Sequence, residues 1–308
     1  MESPNRLDYS AAVPPVVNRI GIDLGGTKIE GVVIDADNRV VFRHRVPTER
    51  ERGYDHIIAR IVELSALLRE HAPECDRIGI GTPGSISRRD GTMKNSNTTC
   101  LNSRPVLQDL RARLEFDLII ENDANCFALA EAVAGAGAGE TLVFGAILGT
   151  GVGGGIVHRG ELLRGPQHLA GEWGHHCLDP RGPDCYCGQR GCVESLVSGP
   201  AVLKQFTAAG GTAIDVQGVV AAERAGDRTA AAVIERFIDN FGRAVANLIA
   251  ILDPDVIVLG GGLSNIDELY TRGRAAVARY IFNDELLTPI RRHQLGDSAG
   301  VIGAALLT

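Results

Sequence analysis

Three cysteines, Cys185, Cys187 and Cys192, stand within eight residues, with Gly188 and Gly191 between them. Thiolates at this spacing can close on one divalent ion, and glycines permit the tight turns such a loop needs. Three thiolates leave a tetrahedral ion one ligand short. His175 and His176 lie ten and nine residues before Cys185, so a Cys3His zinc site closed by one of them is expected, with Cys177 a weaker candidate. The plainer alternative is a set of reduced thiols in a glycine-rich loop. Glu172 and Glu194 flank the ligands. A closed zinc site has no open coordination position, so the metal is expected to shape the loop and leave recognition to the carboxylates.

A second chemistry lies in the glycines. Gly21, Asp23, Gly25, Gly26, Thr27 and Lys28 sit between two apolar runs, where backbone amides and the Thr27 hydroxyl can approach a phosphate. The order Gly-Gly-Thr-Lys before a strand is not a Walker loop, which needs Gly-Lys-Ser/Thr before a helix. Taken alone, this is a tight hairpin. Gly149, Thr150, Gly151, Gly153, Gly154 and Gly155 repeat the device, and Gly260, Gly261 and Gly262 follow a buried run. Three such loops across a duplicated chain suggest a nucleotide held between two domains. A Val side chain at Gly26 or Gly151 is expected to block the nucleotide before any second substrate.

The third group is Glu121, Asn122, Asp123, Ala124 and Asn125, where a strand gives way to a helix. Asn122 or Asp123 could simply cap that helix. Beside nucleotide-type loops, a carboxylate there can instead take a hydroxyl proton during phosphoryl transfer, and Asp123 is the candidate base.

The elements that would position these groups alternate between strand and helix. Arg19 to Asp23, Lys28 to Ile34 and Val40 to Val46 read as an antiparallel opening, and apolar residues from Ile57 to Leu68 recur at helical spacing. Arg77 to Gly81 gives a buried strand, Gly81 to Ser103 a polar loop, Pro105 to Leu114 a helix, and Leu118 to Ile120 another strand. A helix from Asn122 to Ala134 opens a second half. Thr141 to Leu148 and Gly153 to His158 echo the first hairpin, so an internal duplication is expected. Helix from Asp227 to Leu252, strand from Val256 to Leu259, and a glycine turn and helix from Gly296 to Leu307 complete it. Residues 1 to about 18 read as a tail without enough apolar surface to order itself.

Glu172-Trp173-Gly174-His175 and the stretch from Cys185 through Glu194 resemble the zinc signature of the ROK family of sugar kinases and sugar-responsive repressors. The resemblance runs from Arg19 to the C-terminus and selects His175 as the fourth zinc ligand. It implies an α/β, two-domain actin-like fold (ribonuclease H-like and duplicated) with an inserted zinc loop at 175–192. The N-terminal domain would span 19–121, joined by a C-terminal helix at 297–308, and the C-terminal domain 122–296. It further implies ATP on the two glycine hairpins and the Gly260 to Gly262 adenosine motif, Mg2+ positioned with help from Asp23, a sugar bound by Asn122, Glu172, His175 and Glu194, and Asp123 as base toward the 6-hydroxyl. A homodimer follows from the same resemblance. GTPGSIS at 81–87, KNSNTTCLN at 94–102 and GDSAGVIGAA at 296–305 look like the bacterial fructokinase or mannofructokinase branch. Fructose is therefore the expected substrate and Asn97 a sugar contact, with N-acetylglucosamine kinase or glucokinase as the alternatives.

Composition bounds the rest. A chain of 308 residues with 44% hydrophobic content supports two cores. Net charge of -7 with dispersed Lys and Arg argues against nucleic acid and acidic membranes as partners. Seven cysteines, an odd number with three clustered, fit a reducing cytoplasm, and no apolar leader or membrane segment is visible. A sugar-sensing repressor is the rival of another class. It would need an N-terminal helix-turn-helix, for which the roughly 18 residues before the first strand are too few.

Overall fold

The computed structural model describes residues 18–308. The tail expected at the N-terminus lies, but for its last position, outside them. β1 (Arg19–Leu24), β2 (Lys28–Ile34) and β3 (Val40–Pro47) form an antiparallel meander, and α1 (Tyr54–His71) covers one face of it. β4 (Arg77–Thr82) then pairs parallel to β1. The segment expected to be one polar loop carries a small hairpin, β5 (Ser85–Ile86) and β6 (Met93–Lys94). α2 covers only Val106–Arg111, shorter than expected, and β7 (Asp117–Asn122) pairs parallel to β4, giving the order β3-β2-β1-β4-β7.

α3 (Asp123–Ala134) leads to the second half. There β8 (Leu142–Leu148), β9 (Val152–His158) and β10 (Glu161–Leu162) again make an antiparallel meander. The zinc-type loop follows, then α4 (Val193–Val197), α5 (Gly199–Ala208), α6 (Val216–Arg224) and α7 (Arg228–Leu252). β11 (Val256–Gly260) pairs parallel to β8, α8 (Arg272–Tyr280) follows, and β12 (Ile290–Arg292) pairs parallel to β11. The order β10-β9-β8-β11-β12 repeats the first sheet strand for strand. This duplicated arrangement is the actin-like fold. The chain closes with α9 (Ala299–Ala305).

The two halves exchange their last helices. Gly145 and Gly155 admit α3 against the second sheet, where a Cβ at either would come within 2.7 Å of Ala128 Cβ. α9 returns to the first sheet, where Gly21 and Gly79 lie against the backbone of Ala305 and Ala304. The two helices cross where Gly303 sits on the Cys126 carbonyl, an approach no larger residue permits. Glu131, fully buried on α3, fastens both crossovers by accepting from the amides of Ala136 (2.9 Å), Gln294 (3.1 Å) and Leu295 (2.9 Å).

α7 gives the second core more of its buried residues than any other element. Asp227 caps it by accepting from Thr229 N (2.7 Å) and Ala230 N (3.0 Å), and Val233, Ile234, Phe237, Phe241 and Val245 make one buried stripe. Burying each of the larger side chains contributes about 1.5–3 kcal/mol. Among the described residues no helix is long and apolar enough to cross a membrane.

Candidate active site

Asp123 opens α3 at the C-terminal end of β7, so the sheet delivers it to the cleft between the halves. Asn122 is the cap: its Oδ1 accepts from Ala124 N at 2.8 Å, an amide that Asp123 Oδ1 shares at 2.8 Å. Asp123 is exposed at the surface, with enough protein near its carboxylate to desolvate it. Desolvation raises its pKa to about 6, the Ala124 amide works in the opposite direction, and the negative charge of Glu172 adds to the rise. Glu172 is thus a close electrostatic neighbour of Asp123, brought there by the turn ahead of the Trp173–His175 segment.

Asp23, at the end of β1, faces the same space. Burial and then the charges of Asp123 and Glu30 raise its pKa to about 7, with Lys28 opposing. Its carboxylate packs against Gly81 on β4 and Gly300 near the start of α9. An uncompensated pair of carboxylates is what a hard divalent cation relieves, so Asp23 fits Mg2+. Glu30 and Arg45 stand in register beside it on β2 and β3. Lys28 is engaged there: Glu30, 1% exposed, holds Lys28 Nζ at 3.3 Å, Arg43 Nε at 3.3 Å and Arg45 Nε at 2.8 Å.

The glycines divide by what surrounds them. Gly21 is needed for α9, Gly154 for Phe144 and Trp173, Gly260 for Phe127, and Gly261, at φ 78, for the Leu148 carbonyl. Gly25 closes the first turn on Lys28, and Gly153 lies 3.1 Å from Ala124 Cβ when given a Cβ. These have a packing reason for glycine whatever they bind. Gly26, Gly149 and Gly262 have no such neighbour, and Thr27 and Thr150 stand exposed at the two turn tips. Gly149 and Thr150 also border a cavity of ≈ 360 Å³ with Pro200, Leu203, Val216 and Gly262. Its walls come from the starts of α5 and α6, which sequence reasoning missed because they hold only small and apolar residues with Asp215 and Gln217. Gln217 Nε2 donates to Gly262 O (3.0 Å), and Gly199 N donates to Gly149 O (2.8 Å).

The metal-type cluster forms as the resemblance implied. His175 and Cys185, Cys187 and Cys192 place one ligand atom each within 4.8 Å of one another. Cys187 and Cys192 sulfurs are 3.7 Å apart, and Cys185 Sγ lies 3.6 Å from His175 Nδ1. A zinc tetrahedron with bonds of about 2.3 Å to sulfur and about 2.0–2.1 Å to nitrogen has edges of roughly 3.8 and 3.6 Å, so the residues fit zinc. Cys177 and His176 fall outside the set, His176 Nε2 lying 3.4 Å from Asn247 Nδ2. His175 Nε2 meets Tyr186 Oη at 3.0 Å, so a sugar hydroxyl reaches this ring only by replacing Tyr186. Glu194 leads out of the cluster on α4 and accepts from Val152 N at 2.8 Å, joining the metal loop to the second glycine turn.

Asn97 is exposed between buried Ser96 and Thr98, on a loop that Asn102 holds through Ser96 N and O (2.9 Å each). Two further residues support the turn that carries Asp123. Glu121, 8% exposed, accepts from Asn122 N (3.0 Å), Asn125 Nδ2 (3.0 Å) and Arg164 Nε (2.7 Å). Arg164 carried no sequence signal, because its partner comes from the other half of the chain.

The glycine hairpin thus recurs on both halves of a duplicated sheet. The ROK family model matches residues 19–308. N-acetyl-D-glucosamine kinases of Citrobacter koseri and Escherichia coli K12 are each 36% identical over 297 residues, covering 93% of this chain and 98% of theirs. A ROK hexokinase from Thermus thermophilus superposes with TM-score 0.84 at 34% identity, over 94% of this chain and 97% of its own. A ROK family glucokinase from Streptomyces griseus, solved with glucose and AMPPNP, gives 0.76 at 29% identity, over 94% and 99%. With the family model spanning residues 19–308 and relatives 36% identical over 93% of its length, the chain belongs to the ROK family.

Proposed function

We propose that the protein is an ATP-dependent hexose kinase that phosphorylates the 6-hydroxyl, with N-acetylglucosamine favoured over fructose. One observation carries the reaction: Asp123, with a pKa near 6, stands at a strand-to-helix junction in electrostatic contact with Asp23 and Glu172. A carboxylate so poised is half ionised just below neutrality, which suits a general base.

In this reading the sugar lies over Asn122, Glu172 and Glu194, with Asn97 closing from the first half, and the nucleotide base occupies the cavity beside Gly262. The turn at Gly26 and the turn tip at Thr150 hold phosphates, and Asp23 would hold Mg2+, which when bound screens phosphate charge. The sugar oxygen bonds to the γ-phosphorus as the bond to the β,γ-bridging oxygen breaks. Asp123 takes the hydroxyl proton and ADP leaves with the electron pair. His175, Cys185, Cys187 and Cys192 would hold zinc, which shapes the loop between Glu172 and Glu194.

The preference for N-acetylglucosamine rests on the 36% identity to kinases of that sugar. It departs from the fructose expectation, which drew on three loop motifs alone. A repressor role is disfavoured because Asp123 and both glycine turns are intact. A coupled ADP-release assay with N-acetylglucosamine, glucose, mannose and fructose tests the reading. The highest kcat/KM is expected on N-acetylglucosamine, highest turnover on fructose would reverse the choice of sugar, and no sugar-dependent ADP release would end the kinase reading. Sedimentation tests the homodimer that accompanies it.

A further inference from the structure

The first glycine turn has a feature that the reaction scheme leaves unused. A Cβ placed on Gly26 would lie 3.9 Å from both Arg50 Nη1 and Thr98 Oγ1, so two polar groups from separate loops converge on the tip. Thr98 is fully buried, and its hydroxyl has no hydrogen-bond partner among the described residues. A buried hydroxyl left unpaired is costly, which makes it a group awaiting a ligand rather than part of the packing. Arg50 is exposed and pairs with no carboxylate among the described residues. Lys28, at the end of the turn, is held by Glu30 together with Arg43 and Arg45.

Both loops are braced. Thr48 Oγ1 donates to Gly25 O (2.7 Å) and Thr48 N to Thr27 O (2.9 Å), which fixes the chain entering Arg50 on the turn itself. On the other side Ser96 Oγ accepts from Thr98 N (3.1 Å) and donates to Thr98 O (3.2 Å). A guanidinium and an unpaired hydroxyl beside the tip of a glycine turn select an anion with several acceptor oxygens.

We propose that Arg50 and Thr98 form the outer wall of the phosphoryl site and bind the terminal phosphate of the nucleotide as it transfers. The inference rests on the kinase reading above. Asp23 and Asp123 bring negative charge to the inner side of the same space, and Arg50 supplies positive charge from the outer side, toward the three equatorial oxygens. The bond changes are those already given: sugar oxygen to phosphorus forms, phosphorus to bridging oxygen breaks, the proton goes to Asp123 and ADP departs.

The test combines steady-state kinetics with calorimetric binding of ATP and ADP to the full chain. Arg50→Met is expected to lower kcat/KM for ATP on the order of a hundredfold, chiefly through kcat, with ADP affinity retained and part of the rate restored by Arg50→Lys. Thr98→Val is expected to lower kcat/KM by about fivefold to tenfold while the melting temperature stays level or rises, since it removes an unpaired buried hydroxyl. A merely structural threonine would behave the other way. Wild-type kinetics in Arg50→Met, or equal losses of ATP and ADP affinity, would overturn the assignment. So would a Thr98→Val protein that is less stable but turns over normally. A wild-type protein that phosphorylates no sugar would instead bring down the kinase reading, and this proposal with it.

Discussion

Glu194 Oε2 lies 2.8 Å from the amide of Val152, and a Cβ on Gly151 would come within 2.7 Å of the same oxygen. The second glycine turn and the carboxylate leaving the metal loop are therefore one unit. With Glu194 on the sugar as proposed, this geometry argues for a different outcome at Gly151 from the expected block of nucleotide alone. Gly151→Ala is expected to displace Glu194 and weaken sugar binding as well, by about tenfold, the loss of one charge-assisted hydrogen bond. Gly26→Ala has room in the protein and is expected to weaken ATP while leaving sugar affinity unchanged. Calorimetry with each ligand checks both, and unchanged sugar affinity in Gly151→Ala would refute the coupling.

Asp123→Asn keeps the side-chain size and the oxygen that shares the Ala124 amide. Turnover is expected to fall on the order of a hundredfold to ten-thousandfold with sugar affinity little changed. The base must be ionised to act, so kcat/KM should rise with pH through an acid limb near 6, the direction set by burial in the cleft. Because Asp23 and Asp123 interact, this limb belongs to the pair. Near-wild-type turnover in the variant would reduce Asp123 to a helix-start residue.

Asp23 gives a prediction about stability. Its folded pKa, about 7, stands above the ordinary 3.8, so between these values the folded state binds more protons than the unfolded. Its contribution to stability is fully present below about pH 4 and is lost as pH rises through 7. Asp23→Asn is therefore expected to raise the melting temperature of the magnesium-free protein at pH 8, by at least about 2 °C, and to do little at pH 4. A lower melting temperature at pH 8 would show that the carboxylate is compensated by a contact.

The zinc-type cluster is expected to couple metal content to folding. Cys187→Ala removes one of four ligands, and zinc per chain and thermal stability should fall together. Sugar affinity should fall with them, because the loop ends at Glu172 and Glu194. Elemental analysis that finds no zinc in active wild-type protein would refute a structural metal.

Local chemistry was legible in the chain. Cys185, Cys187 and Cys192 announce a metal loop because ligand spacing is a short-range property, and the hairpins around Gly25 and Gly149 are visible because glycine turns interrupt β-rich runs within a few residues. β2 was bounded correctly and β1 and α7 to within a residue, by the same apolar periodicity. What adjoins what was decided by the tertiary structure. β10 and β12 are edge strands of two and three residues, too short to carry a period, and exist through their partners. The seat of Glu194 on Val152, the Glu121–Arg164 pair across the two halves and the approach of Arg50 and Thr98 to Gly26 all join residues far apart in sequence. No local propensity encodes such contacts. The same packing explains why Gly21 and Gly260 are glycines, a fact that sequence alone attributes to a phosphate.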